Sequence, residues 1–192
     1  MNKYRKDPTK HHLRERLKHA RASLTTEERA EKSRAIAGIL LGLLEGVDTV
    51  MVYVAKEPEV ETLGLIEALL ERGTAVVVPI IQRETRTLRL SYLEDTGVLL
   101  PSTFHVPEPV GHEIPADGGS IGAAVIPLIG FDDRCHRLGY GAGYYDRFLG
   151  THPGVLRIGV GFACQRADRI PAEAHDIALH CIVTEDGVTR AG

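Results

Sequence analysis

The run Arg137-Leu138-Gly139-Tyr140-Gly141-Ala142-Gly143-Tyr144-Tyr145-Asp146 carries the densest chemistry in the chain. Its glycines alternate at 139, 141 and 143. Without a Cβ, such a loop reaches backbone angles closed to other residues and lets its N–H groups press against a ligand. Successive N–H groups turned inward form a concave nest for anions, phosphate above all. Arg137 adds a forked positive charge at one end. Asp146, at the other end, suits a Mg²⁺ that travels with a nucleotide. The pattern is G-x-G-x-G, so it is not the dinucleotide fingerprint, and no Gly-Lys-Ser/Thr closes it as a Walker loop. Spacing alone leaves a phosphate site and a glycine-rich structural turn as even alternatives.

The other reactive side chains form no set. His11 and His12 adjoin, so they face different directions on a helix. There is no H-x-x-x-H, no zinc spacing and no Ser-His-Asp signal. His136 either approaches a phosphate or is an exposed loop histidine. The three cysteines, Cys135, Cys164 and Cys181, contain no C-x-x-C, which fits a reducing cytosol and no disulfide framework. Residues 1–21 concentrate Lys3, Arg5, Lys6, Lys10, Arg14, Arg16, Lys18 and Arg21 against Asp7 and Glu15. Read alone, this is a solvated basic helix face. Lys10 and Arg14, four apart, share one side of it.

The elements that must position these groups read as alternating helices and strands. The 192 residues, 43% hydrophobic and 26% charged, fit one globular domain over 1–192, with basic helices across 9–45 and an α/β core across 47–185. Leu13, Leu17 and Leu24 are expected on one face of a first helix. Thr25 and Glu28 spell a capping box for a second, which turns Ile36, Ile39, Leu40 and Leu43 inward and stops at Gly46. Thr49 to Val54 is apolar on both faces, as a buried parallel strand is. Thr62 caps a helix with Leu63, Ile66 and Leu70 inward, ended by Gly73, and Ala75 to Pro79 is the next strand. This β-α-β unit predicts a parallel sheet with a right-handed crossover.

Leu88 to Tyr92 reads as a strand, and proline-rich 104–119 as loop. Ala123 to Ile129 is a buried strand running into the glycine loop, and a helix begins within Gly141 to Leu149. Arg157 to Phe162 and Cys181 to Val183 complete the sheet. The sum is a three-layer α/β/α domain. Ligands in such folds gather at the carboxyl ends of the strands, where Glu59, Asp132 and the glycine loop all fall. Asp132 serves either a metal or the shape of its loop.

Phe131-Asp132 and Arg137 through Asp146-Arg147 resemble the signature of the 5-formyltetrahydrofolate cyclo-ligase family. The likeness extends to Lys10-His11-His12-Leu13-Arg14, to Glu59-Val60-Glu61-Thr62, to the stretch from Phe104 to Pro109, and to Gly161 through Gln165 with Pro171 and Asp176. It implies a mainly parallel three-layer sandwich like that of ribose-5-phosphate isomerase and CoA-transferase-like domains. It implies ATP- and Mg²⁺-dependent closure of 5-formyltetrahydrofolate to 5,10-methenyltetrahydrofolate, with release of ADP and phosphate. The γ-phosphoryl group would pass to the formyl oxygen, N10 would attack the activated carbon, and phosphate would leave. Catalysis of this kind is positioning plus charge neutralisation.

By the same resemblance, Lys10, Arg14 and Arg137 contact the ATP phosphates, and Leu138, Gly139, Tyr140, Gly141, Ala142, Gly143, Tyr144 and Tyr145 complete the nucleotide loop. Lys10, Arg137 and Tyr144 are the implied catalytic groups. Tyr140 through Tyr144 also border the folate, with Val54, Glu59 and Phe104. Glu59 would accept two hydrogen bonds from the pterin edge, and Glu61, two residues on, is a surface acid if it points away. Asp146 and Asp176 are the implied metal ligands.

Two positions depart from the family pattern. Cys135 stands where glycine is usual, and Ala142 where relatives carry lysine or glycine. A nucleotide- or folate-binding module without turnover, or a sugar-phosphate isomerase on the same fold, would be alternatives to the ligase. The net charge of -3 argues against broad nucleic-acid binding. The charged start lacks an apolar signal region and no run is long enough to span a bilayer, so a cytoplasmic enzyme is expected, and a monomer is expected separately from that. Its folate substrate could carry a polyglutamate tail.

Overall fold

The computed structural model describes residues 8–173 and 176–191. Lys3, Arg5, Lys6 and Asp7 of the basic start lie outside them. Helices α1 (Pro8–Ala22) and α2 (Thr26–Leu43) precede strand β1 (Thr49–Val52), helix α3 (Leu63–Glu71), and strands β2 (Ala75–Gln82) and β3 (Thr87–Leu93). Short pieces follow: β4 (Leu100–Pro101), β5 (Pro107–Glu108) and β6 (Ile114–Pro115). Then come β7 (Ala123–Pro127), β8 (Gly130–Phe131), β9 (Arg137–Leu138), α4 (Tyr144–Thr151), β10 (Leu156–Val160), β11 (Cys181–Thr184) and β12 (Gly187–Arg190).

The main sheet has the order β12-β11-β10-β7-β1-β2-β3-β6. Its interior is parallel from β11 to β2, and β12, β3 and β6 add antiparallel edges. Side chains alternate along a strand, and both faces are covered here. Val50, Val52, Val76, Val78, Val125 and Val183 pack with Ile36 and Leu40 of α2 and Leu65, Ile66 and Leu69 of α3. Met51, Val77, Ala124, Ile126 and Ile182 face the opposite way, toward Phe148 and Leu149 of α4. These two cores are the outer interfaces of the expected three-layer α/β/α sandwich. Helix α1 adds a third, smaller core in which Leu17 meets Ile129, Leu138 and Ile170.

The capping box at Thr25 and Glu28 is formed in both directions. Other expectations shift. Leu24 lies beyond the end of α1, in the turn before α2, and Ile39 and Leu43 are only half-buried. In α3 the inward residues are Leu65, Ile66 and Leu69, while Leu63 is exposed. Thr62 precedes that helix but does not cap it. Its hydroxyl donates to the Tyr53 carbonyl (2.7 Å) and accepts from the Ala55 N–H (3.1 Å), tying together the chain that leaves β1. Strand β1 itself ends at Val52, and Tyr53 and Val54 follow it outside the ladder. Helix α4 starts at Tyr144, since Gly141 (φ +93°) and Gly143 (φ +70°) are left-handed and cannot continue a helix. The proline-rich 104–119 stretch is not all loop, for it holds β5 and β6.

Candidate functional site

Strand order reverses between β1 and β7. From β1 the chain builds outward to β2, and from β7 it builds the other way to β10 and β11. In open α/β sheets the crevice beyond the carboxyl ends at such a switch point is where ligands bind. The segment after β1 carries Glu59, and the segment after β7 carries the glycine loop.

These two segments meet. The Tyr140 hydroxyl donates a short hydrogen bond to Glu59 Oε1. Glu59 Oε2 accepts from the Lys56 N–H at 3.1 Å, and the residue is buried. Lys56 Nζ stands 5.8 Å from the Tyr140 ring centre and donates to the Phe104 carbonyl at 3.0 Å. Burial first, and the Glu59 charge second, push the Tyr53, Tyr140 and Tyr145 phenols above their ordinary value, so each remains protonated.

A second group surrounds the other end of the loop. Arg137 bonds Asp146 Oδ1 through Nη2 (2.7 Å) and the Ile177 carbonyl through Nη1 (2.9 Å). The same Asp146 oxygen accepts from the Ile177 N–H at 3.2 Å. One residue before Ile177, Asp176 Oδ2 accepts from Lys10 Nζ at 2.7 Å, and Glu173 does so at 2.8 Å. Burial works against the Lys10 charge, but the hydrogen bonds and charges of Asp176 and Glu173 outweigh it and hold the ammonium above its ordinary value. Arg14 Nε joins the two groups, donating to the Gly139 carbonyl at 2.8 Å. Arg147 fixes the loop from the far side by donating to the Ala142 carbonyl (2.7 Å) and the Arg86 carbonyl (2.6 Å).

Lys10, Arg14, Glu59, Arg137, Tyr140, Asp146 and Asp176 therefore fall in separate sets of contacts that are neighbours along the chain at 139/140 and 176/177, drawn from α1, the β1 exit, the glycine loop and the C-terminal loop. Leu138 packs in the α1 core, and Tyr145 packs beneath the loop against the α4-side core. Tyr144 opens α4 with its ring 5.8 Å from the Arg147 guanidinium carbon. Val54 is buried with Tyr53 and Val60 in the core. Phe104 is about half exposed, left-handed at φ +57°, with the Arg83 guanidinium carbon 5.0 Å from its ring centre. Glu61 is exposed, so it points away.

Asp132 resolves to a structural role. Fully buried, it accepts from the N–H groups of Arg134 (3.1 Å), His136 (3.0 Å) and Ile170 (3.0 Å) and pairs with the Arg134 side chain at 2.8 Å. His136 is not the exposed loop histidine of the sequence reading: it is partly buried, with Nδ1 3.4 Å from Asp132. Cys135 is left-handed at φ +58°, the conformation that glycine adopts without strain. Its side chain is buried, and its Sγ lies 3.6 Å from the Thr189 carbonyl oxygen.

Two contributors carry little sequence signal. Arg21 is buried and donates to the Tyr140 hydroxyl at 3.3 Å, yet it reads as one more charge in a basic run. Gln165 donates to the carbonyls of Leu128 (3.0 Å) and Ile129 (2.9 Å) and accepts from the Phe162 N–H (2.8 Å), clamping the β7 exit to the β10 exit. Only its place in the Gly161–Gln165 run points to it. Among the described residues no three or more His, Cys, Asp or Glu side chains cluster as a metal cage, and no helix is long and apolar enough to cross a membrane.

Comparison with known proteins gives a consistent result. The profile of the 5-formyltetrahydrofolate cyclo-ligase family matches residues 6–185. A 5-formyltetrahydrofolate cyclo-ligase of Mycolicibacterium smegmatis is 31% identical over 181 residues, covering 92% of this chain and 93% of that protein. One from Haemophilus influenzae is 27% identical, covering 89% and 95%. The solved structure of Aquifex aeolicus 5,10-methenyltetrahydrofolate synthetase superposes with a TM-score of 0.82 at 30% identity, covering 95% of this chain and 92% of that one.

Proposed function

Because the chain belongs to the 5-formyltetrahydrofolate cyclo-ligase family, we propose that it closes 5-formyltetrahydrofolate to 5,10-methenyltetrahydrofolate at the β1/β7 crevice, consuming ATP with Mg²⁺. The observation that carries this reading is the pairing pattern: each candidate phosphate cation at the loop's outer end is already matched to a candidate metal carboxylate. Arg137 holds Asp146, and Lys10 holds Asp176. A magnesium nucleotide brings both missing signs at once. Phosphate oxygens would replace Asp176 on Lys10 and Asp146 on Arg137, and the freed carboxylates would be available to hold the metal.

The residues fit such a ligand. Mg²⁺ is ordinarily held by one or two carboxylates together with phosphates and water, so two carboxylates suffice without a protein cage. When bound, the ion would neutralise charge developing on the transferred phosphoryl group. Lys10, Arg14 and Arg137 would orient the triphosphate, with Gly139, Gly141 and Gly143 giving close backbone approach. Glu59 would take the pterin edge once the Tyr140 hydroxyl moves off its Oε1. The poor formyl electrophile would gain a phosphate leaving group, and the crevice would hold N10 against the activated carbon.

The test is direct. Purified protein is mixed with 5-formyltetrahydrofolate and Mg²⁺, with and without ATP, and the absorbance of the methenyl product is followed. Product that forms only with ATP supports the reading. Folate binding with no product under any condition contradicts it and favours a module without turnover.

A further inference from the structure

Arg21 is the one buried guanidinium in the wall of the crevice that no carboxylate among the described residues pairs with. It is 5% exposed, and its Nε–H is buried with no acceptor among the described residues. A buried cation left without a counter-ion is costly, and that cost is not offset by any local pair. Its partner is instead the Tyr140 hydroxyl, which Nη2 reaches at 3.3 Å.

The donor count gives this contact a direction. A guanidinium only donates, so the Tyr140 oxygen must accept from it. A phenol has a single proton, and that proton is then committed to Glu59. Donation in this sense requires an accepting oxygen on Glu59, with Lys56 N–H on the other oxygen. We propose that Arg21 is a positioning residue of the folate half of the site: by fixing the Tyr140 hydroxyl as a donor, it orients Glu59 for the donor edge of a pterin. The folate part of this inference rests on the function proposed above. Glu59 is the anion that balances Arg21, at one remove through Tyr140. When a ligand takes Glu59, Arg21 keeps the displaced hydroxyl in the crevice wall.

The test is a double-mutant cycle with two readouts. The variants are Arg21→Met, which keeps an apolar side chain of comparable length in the wall, Tyr140→Phe, and the pair combined. In the free proteins, carbon-13 NMR reads the Glu59 carboxyl resonance. Arg21→Met is expected to shift it in the wild-type background and to leave it unchanged in the Tyr140→Phe background. With substrates, Arg21→Met is expected to raise the folate KM roughly tenfold, with kcat and the ATP KM within about twofold, and to add nothing once Tyr140 is Phe. Equal effects of Arg21→Met in both backgrounds would overturn the proposal, as would equal loss of folate and ATP affinity. Should Arg21→Met fail to fold, Arg21→Leu, which likewise removes every donor, runs the same cycle. Failure of the wild type to bind 5-formyltetrahydrofolate would instead sink the functional reading, and the NMR arm judges the Arg21–Tyr140–Glu59 chain independently of it.

Discussion

Glu59 and Asp132 are both buried carboxylates in the crevice region, and their partners separate their roles. Glu59 is held by one hydroxyl and one N–H, the Tyr140 phenol and the Lys56 backbone. Glu59→Gln is therefore expected to weaken folate binding by roughly tenfold or more while ATP affinity stays nearly constant, as calorimetry would read. Equal loss of both would deny it a folate-specific role. Asp132 is locked by three backbone N–H groups and a guanidinium. Burial alone would raise its carboxyl, but the Ile170 N–H, the Arg134 side chain and the His136 N–H outweigh burial and hold it below its ordinary value of 3.8. A carboxyl with a lower folded value stabilises the fold above the unfolded value and loses that contribution as pH falls through the folded one. Asp132→Asn should thus cost about 2 kcal/mol near neutrality, and the gap from wild type should narrow in thermal melts below pH 4 or so. A gap independent of pH would contradict the assignment. The thiols divide in the same way. Burial first, with Cys181 and Asp132 adding to it, pushes Cys135 up to about 11, whereas Cys164 is exposed. An alkylating reagent at neutral pH should modify Cys164 first, with Cys135 reacting only on unfolding, as peptide mass spectrometry would resolve.

Helix α1 does more at the scale of elements than its basic composition suggests. It delivers Lys10, Arg14 and Arg21 to the crevice, and its seat includes Gly130 of β8, where an added Cβ would strike the Leu17 side chain and come within 3.3 Å of the Gln165 carbonyl oxygen. Gly130→Ala should lift α1, lowering stability by about 1–3 kcal/mol and, if Lys10 and Arg14 are the phosphate cations proposed above, raising the ATP KM. Steady-state kinetics beside a denaturant melt would check both parts, and unchanged KM would separate α1 from the nucleotide. Much of this level was legible in the sequence. The capping box of α2, the buried parallel strands and the β-α-β unit all follow from local pattern. The inward face of α3 was misassigned although the sequence marks it: Glu67 and Glu71, four and eight residues after Leu63, put Leu63 on the outer face. Strand β12 was not seen, since its alternate residues are exposed and it is held by antiparallel pairing to β11. Arg21 was hidden for the opposite reason. In a run of like charges nothing local distinguishes the one that tertiary packing buries.

For the whole molecule, the site exists because strand order reverses between β1 and β7, and that reversal is a property of topology no single motif contains. Motifs at Lys10, Glu59, Arg137 and Asp176 are spread over the whole chain, and only the fold pairs Lys10 with Asp176 and Glu59 with Tyr140 of the loop that Arg137 opens. The Cys135 departure illustrates the same dependence: the backbone keeps the left-handed turn that glycine would allow, because Asp132 and the Leu179 N–H, which donates to the Cys135 carbonyl at 3.0 Å, hold it there. Asp146→Ala should lower turnover by about a hundredfold while leaving folate affinity largely intact. Wild-type turnover with Mg²⁺ in that variant would remove the carboxylate from the metal.

The central claim is that triphosphate and reduced pterin share the β1/β7 crevice. A crystal structure with a non-hydrolysable ATP analogue, Mg²⁺ and 5-formyltetrahydrofolate tests it most directly. The expected result is phosphates on Lys10, Arg14 and Arg137, the metal at Asp146 and Asp176, and the pterin on Glu59, with residues 137–146 touching both ligands. Either ligand seated away from that segment would contradict the account.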